Sequence, residues 1–187
     1  YFMLMKKYDD LGDKKFSFEN FKNVMLQVCL LSIYLNFNLN LFHNDMHIGN
    51  FLIKNIDENI KIELDEISLN INKSLIKLID HQWMSNKLQI AYGEVKGDRV
   101  LSTIFTSELL PTIFMFSNYT SINENNEVYF HYNRNGRKDF QKIYAIGSKI
   151  MEINNKISHK NEYTRHKMMY KYIESNFDEL FLGTFLK

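Results

Sequence analysis

Apolar residues recur every three or four positions between Phe18 and Leu35, which is the spacing of one face of an α-helix. They are Phe18, Phe21, Met25, Val28, Leu31 and Leu35. Ser17 precedes this run and Glu19 falls in its first turn, as expected for an N-cap and for a negative charge at a helix start. The pattern predicts a helix over about residues 18–37 whose apolar stripe is buried.

In the next part of the chain the pattern changes to short apolar runs and to strict alternation, both typical of β-strands. Residues 51–53 form a short apolar run. Residues 60–72 alternate between apolar and polar on both sides of an acidic pair, which predicts a β-hairpin. The run at 75–79 predicts a further strand, and it ends directly before Asp80.

The second half of the chain predicts helices separated by a polar segment. An apolar stretch around Pro111 predicts the break or the start of a helix. Residues 118–138, Asn-rich at their start, are the best candidate for a flexible insertion, with a strand predicted at 128–132. A helix capped by Asp139 and a last helix over about 162–176 follow.

A long helix, a group of short strands and then further helices are predicted in this order, which indicates an α+β chain. Its 187 residues, 45% of them hydrophobic, suit one domain with a sizeable core. The net charge of +1 gives no sign of a nucleic-acid partner, and no run of 18 apolar residues predicts a membrane span. A single cysteine excludes an internal disulfide and favours an intracellular location, cytoplasmic or nuclear, with a viral protein in a host cell as one alternative.

Polar residues concentrate at positions 43–50, H-N-D-M-H-I-G-N, between the long helix and the first apolar strand. Asp45 and Asn50 in this segment, and Asp80 after the later strand, offer the oxygen atoms that Mg²⁺ prefers. Asp and Asn are also common as loop caps and turn residues. The agreement of motif, spacing and flanking strands favours a divalent metal held between the ends of two strands.

The pattern H-x-D-x-H-x-x-N, followed by an apolar run and an Asp, resembles the catalytic loop and metal-binding Asp of the protein-kinase-like superfamily. The closest resemblance is to the mainly helical C-terminal lobe and hinge of haspin-type or viral serine/threonine kinases. It implies that Asp45 accepts the proton of the attacking hydroxyl, while Asn50 and Asp80 hold Mg²⁺. His47 replaces the Lys of many protein kinases and would act beside Asp45 near the phosphates, with a solvent-facing His as the open alternative, whereas His43 would be structural.

The same resemblance implies ATP and Mg²⁺ as cofactors and a protein as substrate. Leu52 and Ile79 would contact the adenine, and Met5 and Lys7 would offer hinge backbone groups to its edge. None of the seven glycines belongs to a Gly-rich phosphate loop. Residues 1–187 are therefore expected to be an incomplete kinase-like domain, inactive by itself, with its N-terminal lobe upstream.

Departures from the kinase pattern leave two alternatives open. Asp80-His81-Gln82 replaces the D-F-G motif, so a binding scaffold of the pseudokinase type is one of them. The D-x-H-x-x-N loop also resembles aminoglycoside and choline phosphotransferases, so a small-molecule phosphotransferase is the other.

The helix that anchors the lobe should carry an Asp where Lys142 stands, with Asp139 as a nearby substitute.

Five other residues with reactive or aromatic side chains are expected to be structural. His131, His159 and His166 lack metal-ligand spacing and are expected at the surface. Trp83 is expected to pack against its neighbours rather than to bind a substrate. Cys29 lies near the apolar face of the predicted long helix, which favours a buried and inert thiol.

Overall fold

A computed structural model describes residues 9–10, 15–88, 107–130 and 140–185. The helices are α1 Phe18–Ile33, α2 Leu109–Asn118, α3 Phe140–Lys156, α4 Glu162–Ser175 and α5 Phe177–Phe185. The strands are β1 Asp9–Asp10, β2 Lys15–Ser17, β3 Phe51–Asn55, β4 Ile60–Leu64, β5 Ile67–Ile71, β6 Ser74–Leu78, β7 Thr120–Ile122 and β8 Glu127–Phe130. Helices with small antiparallel sheets confirm the α+β class. None of these described helices is long and apolar enough to cross a membrane.

The long helix predicted from the apolar stripe is α1, and it continues as a π-helical turn at Tyr34–Asn38. Ser17 caps it as predicted, because its side chain accepts a hydrogen bond from the backbone N–H of Asn20 at 3.3 Å. Its fully buried apolar side chains include Phe21, Val24, Met25, Val28 and Ile33. Each such side chain contributes about 1.5–3 kcal/mol of burial free energy, so α1 forms the centre of the core. Cys29 is only 1% exposed, which confirms the buried cysteine, and this burial raises the pKa of its thiol to about 12.

The sheet of β1, β3 and β6 determines where the polar loop and Asp80 lie relative to each other. Strands β3 and β6 are antiparallel and pair over their full length, with Phe51 opposite Leu78. The start of β3 and the end of β6 therefore lie side by side. Because Asn50 immediately precedes β3 and Asp80 follows shortly after β6, both residues lie at the same end of the sheet.

The hairpin predicted at 60–72 is confirmed as β4 and β5. Its turn residue Asp65 has a left-handed backbone with φ 49°, which Asp tolerates better than most other residues. The side chains of β5 alternate between buried and exposed, the buried ones being Ile67, Leu69 and Ile71. At the turn, Lys167 of α4 donates to Asp65 at 3.0 Å and to Glu66 at 2.9 Å, while the Tyr163 hydroxyl donates to Asp65 at 2.7 Å. The hairpin is thus packed against the core and attached to α4.

A second antiparallel sheet, in the order β2, β8, β7, contains the described part of the segment predicted as a flexible insertion. Strand β8 confirms the strand predicted there, and its Val128 and Phe130 are buried in the core. The interpretation of 118–138 as a flexible insertion is therefore wrong for residues 120–130, because alternate side chains of this hairpin pack inward. Residues 131–139 lie outside the described part of the chain.

The C-terminal helices agree only in part with the sequence pattern. Pro111 lies in the first turn of α2, where its missing N–H costs no helical hydrogen bond, so the predicted helix start is confirmed. The predicted last helix is confirmed as α4, which Asn161 caps by accepting from the backbone N–H of Thr164 at 2.9 Å. Helix α5 was not predicted, since its nine residues are too short to show a clear period.

Aromatic rings join α1, α5 and the β7–β8 hairpin into one core. The ring of Phe21 lies 5.8 Å from that of Phe130, 5.6 Å from that of Phe177 and 5.4 Å from that of Phe181, measured between centroids. The rings of Phe177 and Phe181 are stacked at 4.3 Å. Edge and stacked contacts of this kind stabilise beyond the area they bury, so the unpredicted helix α5 is an integral part of the fold.

Candidate functional site

The predicted catalytic loop, residues 43–50, connects the π-helical turn to β3 and is anchored in the core by apolar side chains. Met46 and Ile48 are buried, and the Ser32 hydroxyl of α1 donates to the Met46 sulfur at 3.3 Å. The last part of the loop, Ile48–Asn50, forms one 3₁₀ turn that leads directly into β3. Met46 and Ile48 therefore fix the loop to the core, and the intervening Asp45 and His47 remain partly exposed, whereas the other polar residues His43, Asn44 and Asn50 are buried.

A carboxylate that the sequence analysis missed, Glu108, holds the start of this loop. Its side chain is fully buried. Its oxygens accept the backbone N–H of His43 at 2.8 Å and of Asn44 at 2.5 Å, and the side-chain N–H of Asn36 at 3.0 Å. The Glu108 backbone N–H in turn donates to the Asn36 side-chain oxygen at 2.9 Å. Since a buried carboxylate is costly unless it is hydrogen-bonded, these contacts fix the loop and the π-helical turn to one group.

Glu108 is not the anchoring carboxylate that the kinase resemblance predicts, and the predicted one stays a prediction. That resemblance predicts a carboxylate in place of Lys142, with Asp139 as a substitute. Asp139 and the side chain of Lys142 lie outside the described residues. In the described part the anchor is Glu108, shortly before Pro111. The sequence carried one signal for it, namely an acidic residue within a strongly apolar stretch, where an unsatisfied charge would be costly.

Asn44 ties the loop to the segment that follows β6. Its backbone is left-handed, with φ 63°. Its side-chain N–H groups point at the backbone oxygens of Phe42 at 3.3 Å, Trp83 at 3.0 Å and Lys87 at 3.2 Å, and at the Ser85 hydroxyl oxygen at 3.1 Å. Phe42 and Ser85 also exchange backbone hydrogen bonds of 2.7 and 2.9 Å. The residue before the predicted catalytic Asp is therefore rigidly held.

The structure brings Asp45, His47 and Asn50 together. The Asn50 side-chain N–H donates to the Asp45 backbone oxygen at 2.9 Å and to its Oδ2 at 3.1 Å. His47 Nδ1 accepts from the backbone N–H of Gly49 at 3.0 Å, so a neutral His47 ring carries its proton on Nε2. That Nε2 lies 3.4 Å from Asp45 Oδ2. The Asn50 amide nitrogen and the His47 ring nitrogen thus both lie near Oδ2 of Asp45.

Asp80 lies beside this group because the adjacent backbone is fixed from two sides. The backbone N–H of Ile79 donates to the Asn50 backbone oxygen at 2.9 Å. The Ile79 oxygen lies 3.0 Å from Nε2 of the fully buried His43, which must be the donor because a carbonyl can only accept. These contacts support the structural role expected of His43. Asp80 itself is exposed and has a left-handed backbone with φ 58°.

The donor set of Asn50 and Asp80 suits magnesium. Since Asn50 directs its N–H groups to Asp45, its carboxamide oxygen is the atom that would bind a metal. Among the residues that the structure describes, no group of three or more His, Cys, Asp or Glu side chains could hold a metal by itself. Mg²⁺ commonly takes only one or two protein oxygens and completes its shell with water and substrate phosphates. The two residues therefore fit a phosphate-linked magnesium rather than a structural metal site.

The four residues predicted to contact ATP are described only in part. Leu52 and Ile79 are half-buried, and Leu52 belongs to β3, the middle strand of its sheet. Both lie next to the end of the sheet at which Asn50 is found. Met5 and Lys7 lie outside the described residues, so the hinge contacts stay a prediction.

The expectation that Trp83 packs against its neighbours is wrong, because its side chain is 55% exposed. It ends the short 3₁₀ turn His81–Trp83 that follows Asp80. Its backbone oxygen is held by Asn44, and this contact fixes the main chain without covering the indole ring. The segment after Asp80 is therefore anchored through backbone groups.

The expectation that His166 lies at the surface is also wrong, because its side chain is only 4% exposed. One ring nitrogen contacts the hydroxyl of Ser107, and Nδ1 donates to the Glu162 backbone oxygen at 2.7 Å. His159 is exposed as expected, and His131 lies outside the described residues. A lone His without metal-ligand spacing gave no signal for this buried hydrogen-bonding role.

No family model, no curated protein and no solved structure matches this chain. The observations available for inferring a function are therefore the fold, the loop and its hydrogen bonds. The likeness to protein-kinase-like enzymes depends on the motif residues of this sequence and on the positions that the fold gives them.

Proposed function

We propose that this chain contains the catalytic loop and metal-binding segment of a kinase that transfers the γ-phosphoryl group of ATP to Ser or Thr hydroxyls of a protein. One observation carries the proposal: Asn50 donates to Asp45 through its side chain and accepts from Ile79, the neighbour of Asp80, through its backbone. A proton acceptor and two oxygen ligands for a metal thus share one end of a sheet. Phosphoryl transfer requires this combination of positioning and charge neutralisation.

In this proposal Asp45 orients the attacking hydroxyl with Oδ1 and takes up its proton as the hydroxyl oxygen bonds to the γ-phosphorus and the bond from that phosphorus to the leaving ADP breaks. His47 and Asn50 both contact Oδ2, which fixes the rotation of the carboxylate. A general base has to lie within hydrogen-bond reach of the proton that it accepts, so this orientation matters for rate. A magnesium ion bound through Asn50 and Asp80 would neutralise charge on the phosphates.

The nucleotide would extend from the metal ligands toward the sheet. Leu52 and Ile79 would provide apolar contacts to the adenine, and Met5 and Lys7 would provide hydrogen bonds to its edge. The sequence contains no Gly-rich loop to cover the phosphates. The proposal therefore includes a phosphate-covering lobe contributed from outside residues 1–187.

The test measures magnesium-dependent transfer from γ-labelled ATP to Ser/Thr peptides by the protein in its full natural length. Asp45→Asn should lower the rate by about 10²–10⁴-fold, the usual contribution of a general base. Asp80→Asn should abolish transfer, and Asn tolerates the left-handed backbone at this position. Asp57→Asn alters an exposed Asp between β3 and β4 and is the matched control, with unchanged activity.

The possible results test the metal ligand Asp80 and the identity of the phosphoryl acceptor separately. Equal activity of Asp80→Asn and Asp57→Asn would mean that Asp80 is a turn residue, and the proposal would fail. Transfer to an aminoglycoside or to choline instead of peptides would replace the protein substrate with a small molecule. Binding of magnesium and ATP without transfer to any acceptor would favour a pseudokinase scaffold.

A further inference from the structure

A serine and a histidine form a buried pair that the proposed chemistry does not use. Ser107 is 3% exposed and His166 is 4% exposed. Nδ1 of His166 donates to the backbone oxygen of Glu162, one turn earlier in α4, at 2.7 Å. A neutral imidazole has a single N–H, so its Nε2 is an acceptor. In the contact between the two side chains the Ser107 hydroxyl is therefore the donor.

Ser107 is the residue directly before Glu108, the carboxylate that binds the backbone N–H groups of His43 and Asn44. The Ser107 oxygen also accepts from the backbone N–H of Leu109 at 3.4 Å. The Ser107 hydroxyl therefore forms hydrogen bonds both to the backbone of Leu109, which follows Glu108, and to His166 of α4. The direction in which Glu108 leaves the main chain is fixed by these contacts.

His166 also contacts the π-helical turn that completes the anchor. Its ring centroid lies 4.7 Å from that of Phe37. The neighbouring Asn36 donates to Glu108 at 3.0 Å and to the Leu41 backbone oxygen at 2.9 Å. Helix α4 therefore contacts the chain neighbours of both Glu108 and Asn36, namely Ser107 just before α2 and Phe37 of the π-helical turn.

We propose that His166 is a positioning residue of the candidate site: through Ser107 it fixes Glu108, and through Glu108 it fixes the loop that carries Asp45. The catalytic meaning of this link rests on the function proposed above, whereas the link itself concerns only the geometry of the loop. If the Asp45 carboxylate is displaced, proton transfer to it becomes slower, while the binding of the nucleotide is unaffected. In an active full-length protein, loss of the link should therefore lower kcat and leave the KM for ATP unchanged.

Two variants that resemble His166 in shape test its contact with Ser107 separately from the other contacts of the imidazole ring. His166→Asn keeps a donor near Nδ1 for the Glu162 oxygen but ends short of Ser107. His166→Gln places its amide oxygen near Nε2, where it can accept from Ser107. We expect the backbone amides of His43 and Asn44 to exchange hydrogen about tenfold faster in His166→Asn, the effect of losing one hydrogen bond, and at the wild-type rate in His166→Gln.

Controls distinguish this positioning from a general loss of packing. Ile173→Val alters a side chain that is 1% exposed two turns further along α4, and the α1 amides of Val24 and Val28 report global stability. Ser107→Ala should accelerate the loop amides as His166→Asn does, and the two changes should not add.

The proposal is overturned if the loop amides accelerate no more than the α1 amides, or if Ile173→Val has the same local effect. Additive effects of Ser107→Ala and His166→Asn would overturn it as well. Amide exchange is measured without ATP or an acceptor, so its outcome does not depend on phosphoryl transfer. A chain without kinase activity but with fast loop amides in His166→Asn would refute the proposed function and leave the link intact.

Discussion

The β4–β5 hairpin and the loop at residues 43–50 lie on either side of β3 in the chain, and they are held in different ways. The hairpin has five paired positions and buries every second side chain of β5. The loop forms no strand: Met46 and Ile48 are buried, and its polar part is held by hydrogen bonds to Glu108 and from Asn44. Apolar burial tolerates small shifts of atoms, whereas hydrogen bonds depend on distance and angle. The hairpin therefore contributes mainly stability, and the loop contributes the position of Asp45.

Both regions use left-handed backbone at Asn or Asp, with different results. The described non-glycine residues with positive φ are Asn40, Asn44, Asp65, Asp80 and Asn126. Short polar side chains tolerate this conformation because they can form local hydrogen bonds. Asp65 uses it to reverse the hairpin, whereas Asn44 and Asp80 use it next to the candidate site. The same local preference thus serves a turn in one region and the geometry of the site in the other.

The largest expected effect on stability is in the hairpin. Ile71 is fully buried in the main core, so Ile71→Ala should lower the free energy of unfolding by about 2–5 kcal/mol through lost burial and a cavity. The amides of His43 and Asn44 should exchange faster only as far as global stability falls. Chemical denaturation and hydrogen exchange measure the two effects. Asn70→Ala, an exposed neighbour in β5, should change stability by less than about 0.5 kcal/mol.

A selective acceleration of the loop amides in Ile71→Ala would contradict the separation between hairpin and loop. It would mean that burial in β5 helps to position the candidate site. A loss in stability as small as that of Asn70→Ala would instead show that the core closes around the missing side chain.

The second prediction concerns Glu108→Gln, which should lower stability less than Ile71→Ala does but should disturb the candidate site more. Glu108→Gln keeps the shape of the side chain but turns one acceptor into a donor, so a backbone N–H of the loop loses its partner. Each buried donor left unpaired costs about 1–3 kcal/mol. We expect a loss of this size in the free energy of unfolding, together with fast exchange at His43 and Asn44 and loss of phosphoryl transfer in the full-length protein.

Glu58→Gln is the control for this change, because Glu58 is exposed between β3 and β4. It should leave stability, amide exchange and transfer unchanged. Wild-type exchange rates at His43 and Asn44 in Glu108→Gln would show that the loop keeps its position without this carboxylate.

The smallest expected effect is the proton equilibrium of His166. Burial lowers the pKa of His166 below its usual value of 6.5. The unfolded chain then binds a proton at His166 more readily than the folded protein does. The contribution of neutral His166 to the free energy of unfolding is therefore fully present above pH 6.5. It is lost as the pH falls through the lower pKa of the folded state. The free energy of unfolding of wild type should therefore fall more steeply below pH 6.5 than that of His166→Gln, and identical slopes would contradict this expectation.

The elements that could be predicted are those whose signal is local. The cap at Ser17, the apolar stripe of α1 and the alternation of β4 and β5 each involve residues a few positions apart. Strand β7 and helix α5 were missed because each is too short for a period to appear. Their formation depends on partners elsewhere, since β7 pairs with β8 and α5 packs its rings on Phe21.

The candidate site divides in the same way. The motif alone identified Asp45, His47 and Asn50, which lie within one loop. The position of Asp80 followed from the expectation that two strands end side by side, and the register of β3 with β6 agrees with it. Glu108 was missed, since its place in an apolar stretch indicates only that its charge needs partners and not that these are backbone groups of the loop.

By itself the sequence determined the elements with a clear period and the polar loop, because these depend on interactions within a few positions. Only the tertiary structure decided what holds the loop in place. Glu108 is 65 positions from His43 and 64 from Asn44, and His166 is 59 positions from Ser107. A hydrogen bond requires donor and acceptor to lie about 3 Å apart, whatever their separation along the chain. That distance is set by the packing of α1, α2 and α4 against one another, which no local pattern of residues encodes.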